Sequence, residues 1–183
     1  MRKVVLQMVV SLDGYVAGPN GDLSWVFPGL DDDLRRWIVN SLSGIDTQLL
    51  GRVAYTEQAG YWPTATEDLA PLMNESTKIV FAGAVDNLDW SNSRLAAGSP
   101  AEEIARLKQE PGKDIYVPGG ASFAQSLSAQ GLIDEYRLIV NPVVLGGGLP
   151  LFKEPINLRL LDSKTFGTGA VVLVYEPAKP EAG

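Results

Sequence analysis

Asp114-Ile115-Tyr116-Val117-Pro118-Gly119-Gly120-Ala121-Ser122-Phe123 passes from strand-favouring residues through Pro-Gly-Gly into a helical stretch that runs over 121–129 and stops near Gly131. β-Branched and aromatic residues suit a pleated, buried strand. A strand that feeds a helix through a short glycine turn is the building unit of an α/β layer with mainly parallel strands. The junction also has chemical content. A helix start presents unpaired N–H groups and a partial positive charge, and two glycines let a ligand approach the backbone closely. Ser122 adds a hydroxyl. The segment reads either as a pyrophosphate cradle or as a tight strand-to-helix turn that holds no ligand.

The same alternation extends outward in both directions. Val4 to Leu12 is nearly continuous in apolar residues, the pattern of a central strand buried on both faces. Leu30, Leu34, Trp37, Ile38 and Ser41 recur at spacings of three and four, with Asp31, Asp32 and Asp33 in the first turn, which predicts a helix. Thr47-Gln48-Leu49-Leu50 reads as a strand running into Gly51-Arg52 and a short helix over 53–59, and Leu69–Glu75 as a further helix. Lys78-Ile79-Val80-Phe81 reads as another buried strand, and Pro100–Gln109 as a helix with acidic residues early and basic residues late. Tyr136–Val140 is a strand, and two late strands around Leu158–Phe166 and Ala170–Tyr175 join through Gly167-Thr168-Gly169 as an antiparallel hairpin. No internal repeat or linker interrupts this order. One α/β domain over 1–176 is expected, followed by a flexible tail over 177–183.

Composition removes whole classes of chemistry. The 183 residues include no cysteine and no histidine. Disulfides, thiolate nucleophiles, the Ser-His-Asp triad and the usual zinc sites are therefore excluded, so no metal site is expected. An enzyme built from what remains must rely on carboxylates, Lys, Tyr, backbone dipoles or a cofactor that brings its own reactivity. The net charge of −7 argues against nucleic acid as a partner. No apolar run approaches the ~20 residues of a membrane span, and Met1-Arg2-Lys3 opens no signal peptide. A cytoplasmic location and no membrane partner are the expectation.

Candidate site residues cluster at the predicted strand ends. Leu50-Gly51-Arg52 is a second strand-to-helix junction, with a guanidinium suited to phosphate; taken alone it reads more readily as a surface arginine after a turn. Ser11-Leu12-Asp13-Gly14 ends the first strand, where ligands bind in open α/β sheets and where Asx turns are also common. Asp13, Asp31 and Asp33 are candidate proton donors, a raised pKa being possible beside Trp25 and Phe27; the acidic run also serves a helix dipole without any catalysis. Trp25, Trp37 and Trp62 read as core more readily than as cofactor stackers. Gly146-Gly147-Gly148 costs entropy to order, and reads either as backbone passing a ligand or a neighbouring chain closely, or as a flexible loop.

The ordered set of blocks resembles a known family. Ser11–Ala17, Leu50–Tyr55, Lys78–Phe81, Ile115–Phe123, Asp134–Tyr136 and Asn141–Phe152 follow the pattern of dihydrofolate-reductase-like proteins. The nearest branch is the reductase (C-terminal) domain of the bifunctional riboflavin-biosynthesis deaminase-reductase. The resemblance spans Met1 to about Tyr175. It implies a three-layer fold with a mixed, mostly parallel sheet flanked by helices, and an NADPH site across the strand ends. It places Ser11, Gly51, Arg52, Gly119, Gly120, Ala121 and Ser122 around the cofactor, and Trp25, Phe27 and the 31–33 segment on the substrate side. It also implies a homodimer. Two departures stand out. Family members place Ser or Thr and then Arg or Lys after the strand that here ends at Phe81, to hold the 2′-phosphate; this chain has Ala82-Gly83, which leaves NADH possible unless Arg52 or Arg94 substitutes. The zinc deaminase half is absent.

The resemblance implies an NAD(P)H-dependent reductase acting on a pteridine- or aminopyrimidine-like substrate. A narrower version is 5-amino-6-(5-phosphoribosylamino)uracil reductase, and the competing reading is a non-catalytic dimeric module that binds a nucleotide or flavin.

Overall fold

The computed structural model describes residues 1–83 and 88–178. In chain order the elements are β1 (Val4–Ser11), β2 (Tyr15–Ala17), α1 (Asp32–Leu42), β3 (Ile45–Gly51), α2 (Arg52–Ala59), α3 (Ala70–Glu75), β4 (Thr77–Phe81), β5 (Ser93–Leu95), α4 (Pro100–Gln109), β6 (Asp114–Val117), α5 (Ala121–Ala129), β7 (Glu135–Asn141), β8 (Leu149–Pro150), β9 (Leu158–Thr165) and β10 (Val171–Pro177). Short 3-10 turns at Pro19–Gly21, Phe27–Gly29 and Trp62–Thr64 fill three of the connections.

Eight strands form one sheet in the order β5-β4-β3-β6-β1-β7-β10-β9. The six from β5 to β7 are parallel, and the β9–β10 hairpin adds two antiparallel strands at one edge. β2 and β8 pair separately, Ala17 opposite Leu149 and Tyr15 opposite Pro150. The central run Val4–Ser11 is apolar on both faces because helices cover both. Val4 and Leu6 pack with Ile104, Leu107, Ala124 and Leu127 of α4 and α5. On the opposite face Leu50, Val80 and Tyr116 pack with Ala54, Tyr55 and Met73, and Leu34 of α1 packs on Ile139 and Val172. The fold is the expected three-layer α/β arrangement with a mixed, mostly parallel sheet and a C-terminal antiparallel hairpin.

Punctuation in the sequence explains the helix limits. Asp31 caps α1 by accepting from the Leu34 N–H at 2.8 Å, and Ser99 with Glu102 forms a capping box at α4. Ordered chain reaches past the 1–176 span: Pro177 pairs with Leu158 and the Ala178 N–H donates to the Asn157 carbonyl. Residues 179–183 of the expected tail lie outside the described residues.

Lys78 is fully buried in β4. Its ammonium donates to the Asn74 carbonyl at 2.6 Å and the Ser91 carbonyl at 3.0 Å, and sits 4.4 Å from the centroid of the buried Trp90 ring. Asn74 lies in the last turn of α3, where unpaired carbonyls and the negative end of the dipole favour a cation. No carboxylate among the described residues pairs with it, and burial pushes its pKa down to about 8 from 10.5. The folded protein then binds fewer protons than the unfolded chain between these values, so this group makes stability rise with pH across that window. Urea midpoints of the parent and of Lys78→Met, compared near pH 7 and near pH 10, are expected to shift in favour of the parent at the higher pH. Parallel profiles would show that the amine is not perturbed.

Candidate functional site

Two of the four longer helices start on side-chain caps and two on glycine. α1 and α4 carry Asp31 and Ser99, whereas α2 begins on Gly51 and α5 on Gly120, with no side-chain cap at either. The two uncapped starts lie side by side at the carboxyl ends of β3 and β6. A Cβ on Gly51 would stand 3.4 Å from Phe123 Cβ, and one on Gly120 would stand 3.3 Å from Ala54 Cβ. Gly120 has φ +81°, which favours glycine. A Cβ on Gly119 would meet nothing within 4 Å, so the approach to this turn is open. Convergent unpaired N–H groups behind an open glycine turn are the geometry that binds phosphate.

Arg52 is the first residue of α2, exposed, and without an ion-pair partner among the described residues. Arg94, the other candidate for a 2′-phosphate, is taken. It forms a two-point pair with buried Glu103, both contacts at 3.0 Å, and with Arg106 it holds the Glu103 pKa down to about 2. Ala82 is packed against the core beside α2 and α3, and Gly83 brings neither donor nor charge.

The remaining predicted cofactor residues divide. Ala121 is buried and can contribute only main chain. Ser122 lines a groove of about 550 Å³ with Gln125, Ser126 and Phe152, which neither Gly51 nor Arg52 borders. Ser11 is buried and its hydroxyl is engaged: it donates to Asp13 Oδ1 at 2.7 Å and accepts the Tyr15 N–H at 2.9 Å.

Asp13 ties two loops together. Its carboxylate also accepts the N–H groups of Leu145 at 3.1 Å and Gly146 at 2.8 Å. The Ser11 hydrogen bond, helped by those two amides, holds its carboxyl below the usual range. The Asp13 carboxylate is thus engaged in bridging these two loops, a structural use beside the proton-donor role that the sequence suggested.

The acidic run at α1 separates by helix phase. Asp31 spends its carboxylate on the cap. Asp33 pairs with Arg36 at 2.5 Å and faces the small cavity that Lys164 and Phe166 line. Asp32 alone of the three lines a groove of about 880 Å³ that runs between α1 and the 61–69 segment. Phe27, 64% exposed, stands at that groove. Trp25 is half-buried and holds its own loop, its Nε1 donating to the Asp22 carbonyl at 3.0 Å. Trp37 and Trp62 are partly buried against the core.

Sequence reasoning assigned no role to Asn141. It ends β7 directly beside Ser11, is 1% exposed, and donates from Nδ2 to the carbonyls of Trp25 at 3.3 Å and Val26 at 3.0 Å. It therefore fixes the 22–30 segment, and with it Phe27, to the carboxyl edge of the sheet. A buried polar residue at a strand end was the available signal, but its partners lie more than a hundred positions away.

Comparison with known proteins agrees with this frame. The family model of the RibD C-terminal domain matches residues 2–172. An uncharacterized Bacillus subtilis protein, YyaP, is 36% identical over 182 residues, covering 95% of this chain and 94% of its own. Among solved structures, a Shewanella protein described as a candidate riboflavin biosynthesis protein superposes with a TM-score of 0.79 at 21% identity, over 97% of this chain and 99% of its own. The Thermotoga maritima diaminohydroxyphosphoribosylaminopyrimidine deaminase/5-amino-6-(5-phosphoribosylamino)uracil reductase gives a TM-score of 0.69 at 15% identity, over 97% of this chain and 57% of its own.

Proposed function

The chain belongs to the RibD C-terminal domain family, and from that premise we propose that it is an NAD(P)H-dependent reductase of a small planar heterocycle of the pyrimidine or pteridine type. The observation that carries this reading is the pair of uncapped, glycine-started helices meeting beside Arg52. The residues fit a dinucleotide. The starts of α2 and α5 and the Arg52 guanidinium would hold the pyrophosphate, and exposed Leu12 and Val53 at the same edge would cover apolar parts of the cofactor. When bound, a dihydronicotinamide supplies hydride, so the protein needs only to orient the substrate, exclude water and deliver a proton. Asn141 would orient the segment bearing Phe27, and Asp32, which lines the groove beside Phe27, is the carboxyl we assign to relaying a proton from solvent.

The end of β4 lacks the usual 2′-phosphate contacts, and Ala84-Val85-Asp86-Asn87 add no cation in sequence. Discrimination between the two nicotinamide cofactors should therefore be weak. Titration of tryptophan fluorescence is expected to show saturable micromolar binding of both NADPH and NADH, within about tenfold of each other, a gap of ~1.4 kcal/mol. A calorimetric blank with both would favour the non-catalytic binding module instead.

A further inference from the structure

The groove beside α1 has a charge pattern that selects among heterocycles. Its walls are aromatic and aliphatic, with Phe27, Leu30, Ile38, Trp62 and Leu69 among them. Trp62 is fixed, its Nε1 donating to Gln58 Oε1 at 3.3 Å and its carbonyl accepting from Asn74 at 2.9 Å. Tyr61 packs edge-on against it at 5.0 Å. Such walls suit a flat ring.

Three carboxylates, Asp32, Glu67 and Asp68, line this groove against two guanidiniums, Arg35 and Arg36. Arg36 is already paired with Asp33, the Tyr61 hydroxyl donates to Glu67, and Arg35, its Nε 3.3 Å from the Leu30 carbonyl, has no carboxylate partner among the described residues, so the groove is acidic on balance with one cation in it. The start of α1 is acidified, opening on Asp31, Asp32 and Asp33, and Glu67 and Asp68 add negative charge from the segment before the short α3. The positive end of α1, which could otherwise hold a phosphate, is offset there. The bare helix starts of α2 and α5, by contrast, carry no acidic residue in the first turn. Helix starts free of acidic residues thus stand on the cofactor side, whereas this groove carries more carboxylates than guanidiniums.

We propose that the substrate of this groove is an amino-substituted planar heterocycle, neutral or cationic, that carries no phosphate. Carboxylates accept from exocyclic amines and ring N–H groups and attract a protonated ring, whereas a phosphate dianion meets like charge. The substrate in the name of the Thermotoga maritima protein is phosphoribosylated; this chain departs from it. The inference rests on the reductase reading for the identity of the groove.

Calorimetric titration with 5-amino-6-(ribosylamino)uracil and with its 5′-phosphate, at one fixed ionic strength, tests it. The unphosphorylated compound is expected to bind at least tenfold more tightly. Glu67→Gln with Asp68→Asn should narrow that ratio several-fold by raising affinity for the phosphate form, with NADPH affinity unmoved. Equal or tighter binding of the phosphate form, or binding of neither compound, overturns the proposal. Running each titration with and without NADPH separates the two readings: failure of NADPH to bind would remove the reductase assignment and leave the order of the two heterocycles to decide selectivity.

Discussion

Gly148→Ala is expected to lower the thermal midpoint by about 5–15 °C, while Gly147→Ala one residue earlier leaves it nearly unchanged. A Cβ on Gly148 would lie 2.1 Å from the Ala17 carbonyl oxygen and 3.0 Å from Gly18 backbone atoms. Backbone cannot rotate away as a side chain can. The residue also has φ +131°, where an L side chain is strained at a cost of ~1–3 kcal/mol. The neighbouring contacts make retreat costly, because Ala17 pairs with Leu149 and the Leu151 N–H donates to the Gly14 carbonyl at 3.0 Å. Strain and clash together should take ~2–4 kcal/mol, and each kcal/mol moves the midpoint ~2–4 °C in a chain of this size. Gly147 faces open space with no unusual φ, and Gly146 has φ +71° in open space, so Gly146→Ala should fall between them. Scanning calorimetry of the three variants checks the order. Equal midpoints for the variants at Gly147 and Gly148 would mean the two loops are not docked.

That series also answers what the three glycines are for. The sequence offered a ligand, a neighbouring chain or slack. The structure adds a different reason for one of them: Gly148 passes closely over the chain's own β2 segment, and Gly146 lends its N–H to Asp13. Nothing local in the sequence announces this, because Ala17 and Gly148 meet only through the fold. The same limit applies to the acidic run. Spacing alone shows that Asp31, Asp32 and Asp33 sit at a helix start, but which one caps fixes the phase of the others, and that phase turns Asp32 rather than Asp33 to the groove beside the 61–69 segment. Lys78 was legible as part of a strand, yet its burial depends on Trp90 and on carbonyls of two separate segments. By contrast α4, β6 and α5 lie where the residues place them, since Pro100, the acidic-to-basic gradient and the Gly119-Gly120 turn act locally. Short pieces such as β5 and β8 carry too few residues for any periodicity to mark them.

The proposed dinucleotide site between α2 and α5 makes the second large prediction. Arg52→Ala is expected to weaken NADPH binding about 10–100-fold, the loss of one hydrogen-bonded charge contact worth ~1.5–3 kcal/mol. Gly120→Asp should do more, because it sets a carboxylate among N–H groups that would otherwise meet phosphate. Its effect on the backbone must be separated from its charge. Gly120 has φ +81° and a Cβ there would approach Ala54 at 3.3 Å, so any side chain brings some strain. Asn has the same shape as Asp and, like it, visits left-handed backbone more readily than other residues. Gly120→Asn therefore carries the strain without the charge. The expected order of affinity is parent, then Asn, then Asp, with the last two separated by at least tenfold and drawing closer at high salt, where exposed charge is screened. Fluorescence or calorimetric titration of the four proteins with NADPH, alongside their thermal midpoints, reads both terms. If Asp and Asn bind alike, and Arg52→Ala binds as the parent does, the phosphates do not lie between α2 and α5. The bare glycine starts of those two helices would then be turns alone, and the dinucleotide assignment would lose the feature it stands on.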